Sequence, residues 1–235
     1  MASKSASELA ALTDEIVACR ACPRLVEWRE TVAREKRAAF RDQAYWARPV
    51  PGFGDARARV LVAGLAPAAH GGNRTGRVFT GDRSGDWLFG AMHRTGFANQ
   101  PTSVARDDGL GLDDAYVAAA VRCAPPANKP TPAERDRCLP YLARELALLD
   151  RVRVVVALGG FAYDAVARVL ALAGTPLPTP RPRFGHGVEA PTAGPTVLCC
   201  YHPSQQNTFT GKLTEPMLDQ IFERARELAG LTSRT

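Results

Sequence analysis

The chain has 235 residues and a net charge of +6, with 46% hydrophobic and 23% charged residues. Those proportions suit a globular protein of one large α/β domain or two small ones and exclude a disordered or fibrous chain. No apolar run approaches the ~18 residues that a membrane helix needs, and the first residues lack the apolar centre of a signal peptide, so a cytoplasmic protein is expected.

In that compartment six cysteines point to metal ligands or buried thiols rather than disulfides. The positive charge is localised. Residues 20–59 hold ten Lys/Arg against five Asp/Glu. This is either a solvated helical face or a surface facing a polyanion such as nucleic acid.

Ser7 to Ala18 carries Leu9, Leu12, Ile16 and Val17 near helical spacing and predicts a short helix. Cys19-Arg-Ala-Cys22 follows, then a charged helix from Arg24 to about Arg41. The Pro/Gly-rich stretch Trp46–Gly54 reads as a loop. The first central strand is expected at Arg59–Gly64. It runs into the long stretch Gly64–Asp82 (GLAPAAHGGNRTGRVFTGD), too rich in glycine and polar residues for helix or strand.

A helix at Asp86–Thr95, a loop at 97–113 and a strand at Ala115–Val121 come next. Thr131 with Glu134 is a capping-box signature, and Pro132 suits the first turn of the helix it opens. Pro140 implies a kink or restart in that helix. Val152–Leu158 is a continuous apolar run, as in a strand buried on both faces. Gly159-Gly160 opens a helix to about Ala173. Residues 174–195 form an irregular Pro/Gly-rich excursion with room for an edge hairpin. Thr196–Tyr201 is the last strand, His202–Asn207 a polar loop, and Thr214 caps a final helix closed by Gly230.

Strand, loop and helix thus recur four times. The pattern predicts an α/β fold: a four-stranded, mainly parallel sheet with helices on both faces. We expect a single domain over 1–235, with a basic helical extension (1–58) and an α/β core (59–230).

The polar loops 64–82, 122–130 and 202–207 all follow strands, so they converge at one sheet edge, where such folds bind ligands. Gly71–Val78 nearly matches a P-loop, but Arg77 stands for the phosphate-reaching Lys and Val78 for the Mg²⁺-binding Ser/Thr. Dinucleotide, serine-hydrolase and zinc-protease signatures are absent. The Cys19/Cys22 pair, Cys123 after a strand and Cys138 on a helix make a four-cysteine set that suits zinc or an iron–sulfur cluster equally. Cys199 and Cys200 read as core. His202, at a strand end before Pro203, suits stabilisation of developing charge.

GLAPAAHGGNRTGRVFTGDRSG, VRCAPPANKP and YHPSQQNT resemble, in order, the three signature segments of the family 5 (type b) uracil-DNA glycosylases. CRACPRLVEWRE and YWARPVPGFGD are also similar to that family. The resemblance implies an αβα sandwich and one structural 4Fe–4S cluster on Cys19, Cys22, Cys123 and Cys138. It further implies removal of uracil from DNA, with other deaminated bases such as hypoxanthine as further substrates. DNA is the expected partner and a monomer the expected state.

The residues fit that chemistry. Such enzymes must take the base out of the stack, and the basic N-terminal half suits phosphates. Phe79 corresponds to the base-stacking aromatic, with Phe53 as a second candidate; plain core packing competes for both. His202 and Asn128 suit the negative charge that builds on the departing base. Related families place a water-orienting carboxylate where Ala66 stands here, so the role passes to Asp82. The competing reading is that Asp82 only caps a helix.

Sister families read the uracil edge with an Asn where this chain has Ala119, which predicts a broad substrate range. Gly64, Leu65, Ala66, Asn73, Arg74, Ser204, Gln206 and Asn207 complete the expected substrate-binding set. Gln205, Gln206 and Asn207 are expected either to enter the DNA minor groove or to be ordinary loop polars. The rival reading, motivated by Ala66, is a non-catalytic, metal-clasped DNA-binding module that recognises damage.

Overall fold

The computed structural model describes residues 4–232. Its helices are α1 (Lys4–Ala18), α2 (Pro23–Glu35), α3 (Gly72–Thr75), α4 (Arg83–Arg94), α5 (Pro132–Leu148), α6 (Gly160–Leu172), α7 (Gln205–Phe209) and α8 (Glu215–Leu228). The strands are β1 (Phe53–Gly54), β2 (Val60–Gly64), β3 (Ala115–Ala119), β4 (Val154–Leu158), β5 (Glu189–Ala190) and β6 (Thr196–Cys200). Among the described residues, no helix is long and apolar enough to cross a membrane.

The sheet order is β1-β3-β2-β4-β6-β5. The four central strands are parallel, as expected. The sheet nevertheless has six strands rather than four, because β1 pairs antiparallel with β3 and β5 with β6. Each added strand is two residues long, too short to carry a periodic sequence signal. Short strands of this kind close an otherwise open sheet edge.

The central strands alternate between two cores, as the period of two requires. Val60, Val62, Val154 and Val156 face α4 and α8 through Leu88, Phe89, Ile221 and Phe222. Leu61, Ala63, Val155 and Ala157 face α5 and α6 through Leu142, Val166 and Leu170. Cys199 and Cys200 go to opposite cores, as core residues rather than ligands.

Helix ends follow the sequence closely. Asp82, Thr131 and Thr214 cap α4, α5 and α8, and the Thr131/Glu134 capping box is complete. Two expectations are corrected. The charged helix stops at Glu35 rather than Arg41, because Lys36 adopts φ 52°, and only a short 3-10 turn follows at Ala38–Phe40. α5 runs through Pro140 without a restart. Pro140 and Asp136, four residues before it, are both exposed, so the carbonyl that Pro140 leaves unbonded lies toward water.

The extension is fastened onto a buried ion pair of the core, Arg122 with Glu145. Glu145 Oε1 also accepts from Gly52 N at 3.1 Å and from the Tyr116 hydroxyl at 3.4 Å. Val50 N donates to Arg122 O at 2.7 Å. A buried charge is tolerated only with this kind of satisfaction.

Candidate active site

Pairing continues past the ends of β2 and β3. Ala120 N donates to Gly64 O at 2.9 Å and Val121 N to Leu65 O at 3.0 Å. The two following loops therefore leave the sheet together, bringing Ala66 against Cys22, Cys123 and Cys138. On the other side Gly159 N donates to Cys200 O at 2.8 Å. A Cβ on Gly159 would lie 3.4 Å from His202 Cβ. The three predicted loops thus share one sheet edge.

Phe79 forms one wall. Its backbone has φ 50°, a conformation that costs a bulky residue energy and persists where the surroundings impose it. Its ring lies on Gly64, where a Cβ would sit 2.7 Å from Phe79 Cζ. Its carbonyl lies on Gly85, where a Cβ would sit 1.9 Å from Phe79 O. The Phe79 and His202 rings face each other at 5.8 Å between centroids and 35° between planes.

Burial pushes the His202 imidazole down to about 4, so it is neutral at physiological pH. Asn207 Nδ2 donates to His202 O at 2.8 Å, and Ser204 caps α7 by accepting from Asn207 N at 3.3 Å. The stretch after His202 is therefore a short helix, not a loop, and Ser204 and Asn207 are committed to holding it. Gln205 and Gln206 are exposed. The polar run is thus divided between two anchored residues, Ser204 and Asn207, and two exposed ones.

Asp82 uses its two oxygens differently. Oδ1 accepts from Gly85 N at 3.0 Å and caps α4. Oδ2 lies over Gly71, where a Cβ would sit 2.0 Å away. Burial raises the carboxyl above its ordinary value, against the lowering by the Gly85 and Ser84 backbone N–H groups. The cap expected as a competing reading is present, with the Gly85 and Ser84 N–H groups as backbone donors to the carboxylate.

Several expected ligand-facing residues are engaged within the protein. Residues 64–82 contain the single helical turn α3, contrary to the expectation of a structureless loop. Asn73 is buried, with Nδ2 donating to Arg29 O at 3.2 Å and Ala69 O at 3.4 Å. Arg74 donates to His70 O at 2.7 Å, Gln43 Oε1 at 2.7 Å and Gly81 O at 2.9 Å. Phe53 sits on β1 beneath Arg77, in the core-packing arrangement. Asn128 is exposed on a 3-10 turn with φ 55°.

Two residues escaped the sequence reading. His70 Nδ1 pairs with the Tyr45 hydroxyl at 2.9 Å, beside Gly71. Arg29, buried inside α2, sends NH1 to Cys123 Sγ at 2.9 Å. Nothing in a charged helix marks one arginine as inward-facing.

Cys22, Cys123 and Cys138 cluster with Leu25 and Val121. Cys19 is hydrogen-bonded by Tyr141. Burial pushes the Cys123 thiol up to about 12 and raises that of Cys138. Yet Arg29 and the Arg122 backbone N–H, the latter 3.4 Å from Cys138 Sγ, both donate to these sulfurs. A neutral thiol is a weak acceptor. A metal-bound thiolate is a strong one, and metal binding reverses the local pKa logic. The donor environment therefore fits a thiolate-ligated group. Among the described residues, no three His, Cys, Asp or Glu side chains gather closely enough to hold a single metal ion.

Residues 51–226 match the family model described as "Uracil DNA glycosylase superfamily". The chain is 57% identical over 228 residues to the type-5 uracil-DNA glycosylase of Mycobacterium tuberculosis, covering 96% of this chain and 84% of that protein. It is 50% identical over 222 residues to the type-5 enzyme of Thermus thermophilus, covering 94% and 98%. A type-4 uracil-DNA glycosylase of Archaeoglobus fulgidus is 30% identical over 175 residues, 74% of this chain and 76% of that protein. With the Phe79/His202 contact at the carboxyl edge of a parallel sheet, these similarities place the chain in the uracil-DNA glycosylase superfamily, among the type-5 enzymes.

Proposed function

We propose that this protein hydrolyses the bond between uracil and deoxyribose in DNA, leaving an abasic site. The observation that carries the reading is the contact of the Phe79 and His202 rings at the carboxyl edge of the sheet, inside a chain of this family. The bond to be cut is inaccessible in a stacked duplex, so the nucleotide enters the pocket flipped. Phe79 offers a stacking face to the base. Neutral His202 supplies a ring N–H toward the base oxygen that gains negative charge as the bond breaks. The Asp82 carboxylate orients the attacking water and offsets positive charge on the sugar.

We further propose that the substrates include other deaminated bases such as hypoxanthine. Ala119 is apolar and buried, and Asn128 is exposed. A pocket with few fixed hydrogen-bonding groups leaves few polar atoms unpaired when a different base enters, and so rejects it weakly.

Cys19, Cys22, Cys123 and Cys138 are assigned to a structural 4Fe–4S cluster. A single zinc would draw its four thiolates to ~2.3 Å, whereas a four-iron cluster takes its ligands further apart. The support in this chain is the grouping of Cys22, Cys123 and Cys138 together with the Arg29 and Arg122 donors. The cluster's contribution is to clasp α2 to the loops of the core. The protein is assigned as a monomer on DNA.

The deciding experiment is single-turnover incubation with end-labelled duplexes containing uracil, hypoxanthine, xanthine or thymine, followed by alkali. Strand breaks at uracil and hypoxanthine are expected. Breaks at uracil alone would refute the broad range, and no break at uracil would leave only the damage-binding module.

A further inference from the structure

Loop 103–108 is braced as few loops of this protein are, yet its outer side chains face solvent. Arg77 is buried and pairs with Asp108 at 2.7 Å. It also donates to Ser103 Oγ at 3.0 Å and Arg106 O at 3.2 Å. Asp108 accepts from the backbone N–H of Val104, Ala105 and Leu110 at 2.8, 3.2 and 3.1 Å. These bonds hold Asp108 ionised, well below the usual carboxylate range.

The braced loop adjoins the pocket. Gly81 N, next to Asp82, donates to Ser103 O at 2.8 Å. Val104 is 59% exposed, one of three exposed large hydrophobic side chains among the described residues. The Arg106 side chain is exposed and makes no ion pair among the described residues. Its guanidinium lies 4.5 Å from the Trp46 ring centroid, and that of Arg48 lies 5.7 Å from the same ring. Trp46 is itself strapped to the catalytic loop, by its backbone N–H to Arg74 O at 2.9 Å and by packing on Gly76. Arg48 is likewise exposed and without a carboxylate partner among the described residues. By contrast, Arg224 on α8 is neutralised by Glu189 and Glu227.

We infer that Val104, Arg106, Trp46 and Arg48 form a DNA-backbone clamp beside the pocket. Each arginine takes one phosphate, and Val104 rests on the sugar between them. Rigidity is what such a clamp needs, because ordering a floppy loop on binding costs affinity. Cation–π contact with Trp46 holds the two guanidinium groups apart without neutralising either. Continuity with the Asp82 wall makes DNA the occupant. The inference therefore rests on the DNA-substrate reading above.

The test is equilibrium binding of the full chain to a labelled duplex carrying one uncleavable tetrahydrofuran abasic site, over a series of salt concentrations. Losing one phosphate contact lowers the log–log salt slope by about 0.9 on duplex DNA. Arg106→Ala and Arg48→Ala should each show that loss and bind several-fold more weakly. Arg106→Lys should keep the slope. Val104→Ser should weaken binding with the slope intact, and Arg224→Ala should match the parent. A parental slope in both Arg106→Ala and Arg48→Ala would overturn the clamp, as would an equal loss in Arg224→Ala. A parent protein with no salt-dependent binding would instead refute the DNA reading itself.

Discussion

Gly71 and Asp82 are in contact so close that a Cβ at position 71 would lie 2.0 Å from Asp82 Oδ2. The glycine is the floor on which that carboxylate oxygen rests. Gly71→Ala should therefore push Asp82 out of place, lowering the single-turnover excision rate by tenfold or more, on the scale of ~10²-fold for a small misplacement of a catalytic group. Rapid-quench assays at saturating enzyme read this directly. Parental rates would mean that the position of Oδ2 is irrelevant.

Asp82 can be separated into its cap and its charge. Asn caps helices as well as Asp does, whereas Ala costs about 1 kcal/mol. Burial raises the folded-state pKa of this acid, so ionising it at neutral pH opposes folding. Asp82→Asn should keep or slightly raise the thermal midpoint while losing most excision. Asp82→Ala should lose both. Calorimetry beside the rate assay distinguishes the two roles, and an active Asp82→Asn enzyme would remove the catalytic one.

The pH–rate profile follows from the same shifts. Asp82 must be ionised to act, so the rate should rise with pH through a value raised above the ordinary aspartate value by burial. His202, pushed down to about 4, should add no inflection near the ordinary histidine value of about 6.5. A limb near that value abolished by His202→Ala would show that the imidazolium takes part.

Purified protein should be brown and contain iron and sulfide in equal amounts. Removing the cluster, or Cys123→Ser, should lower the thermal midpoint and expose α2 to protease. A colourless protein with one zinc would replace the cluster by a different metal on the same cysteines.

Glu145→Gln should destabilise the fold by ~3–5 kcal/mol, because it strands the buried Arg122 charge. Denaturant unfolding measures this.

The central strands were legible because a parallel strand buried on both faces is a continuous apolar run. Val154–Leu158 illustrates it, every residue being buried. β1 and β5 were not legible, since a two-residue strand is defined by its partner. Of the residues that the sequence singles out, Phe79 and His202 are brought into ring contact. Asn73 and Arg74 were read as ligand-facing because they are polar and lie in a glycine-rich loop. Such a loop leaves its own carbonyls unbonded, and those of Ala69, His70 and Gly81 claim both side chains. The inward turn of Asn207 was hidden for the same reason.

Arg29 joins two parts of the molecule that sequence keeps far apart. Its guanidinium reaches Cys123, 94 residues on, and its carbonyl receives Asn73, 44 residues on. Contacts between such distant positions form late, after the closure entropy of the intervening chain has been met. One side chain and one carbonyl of α2 tie the cysteines to the loop that carries Phe79 and Asp82. Displacing α2 at the cysteines would displace the anchor of that loop as well.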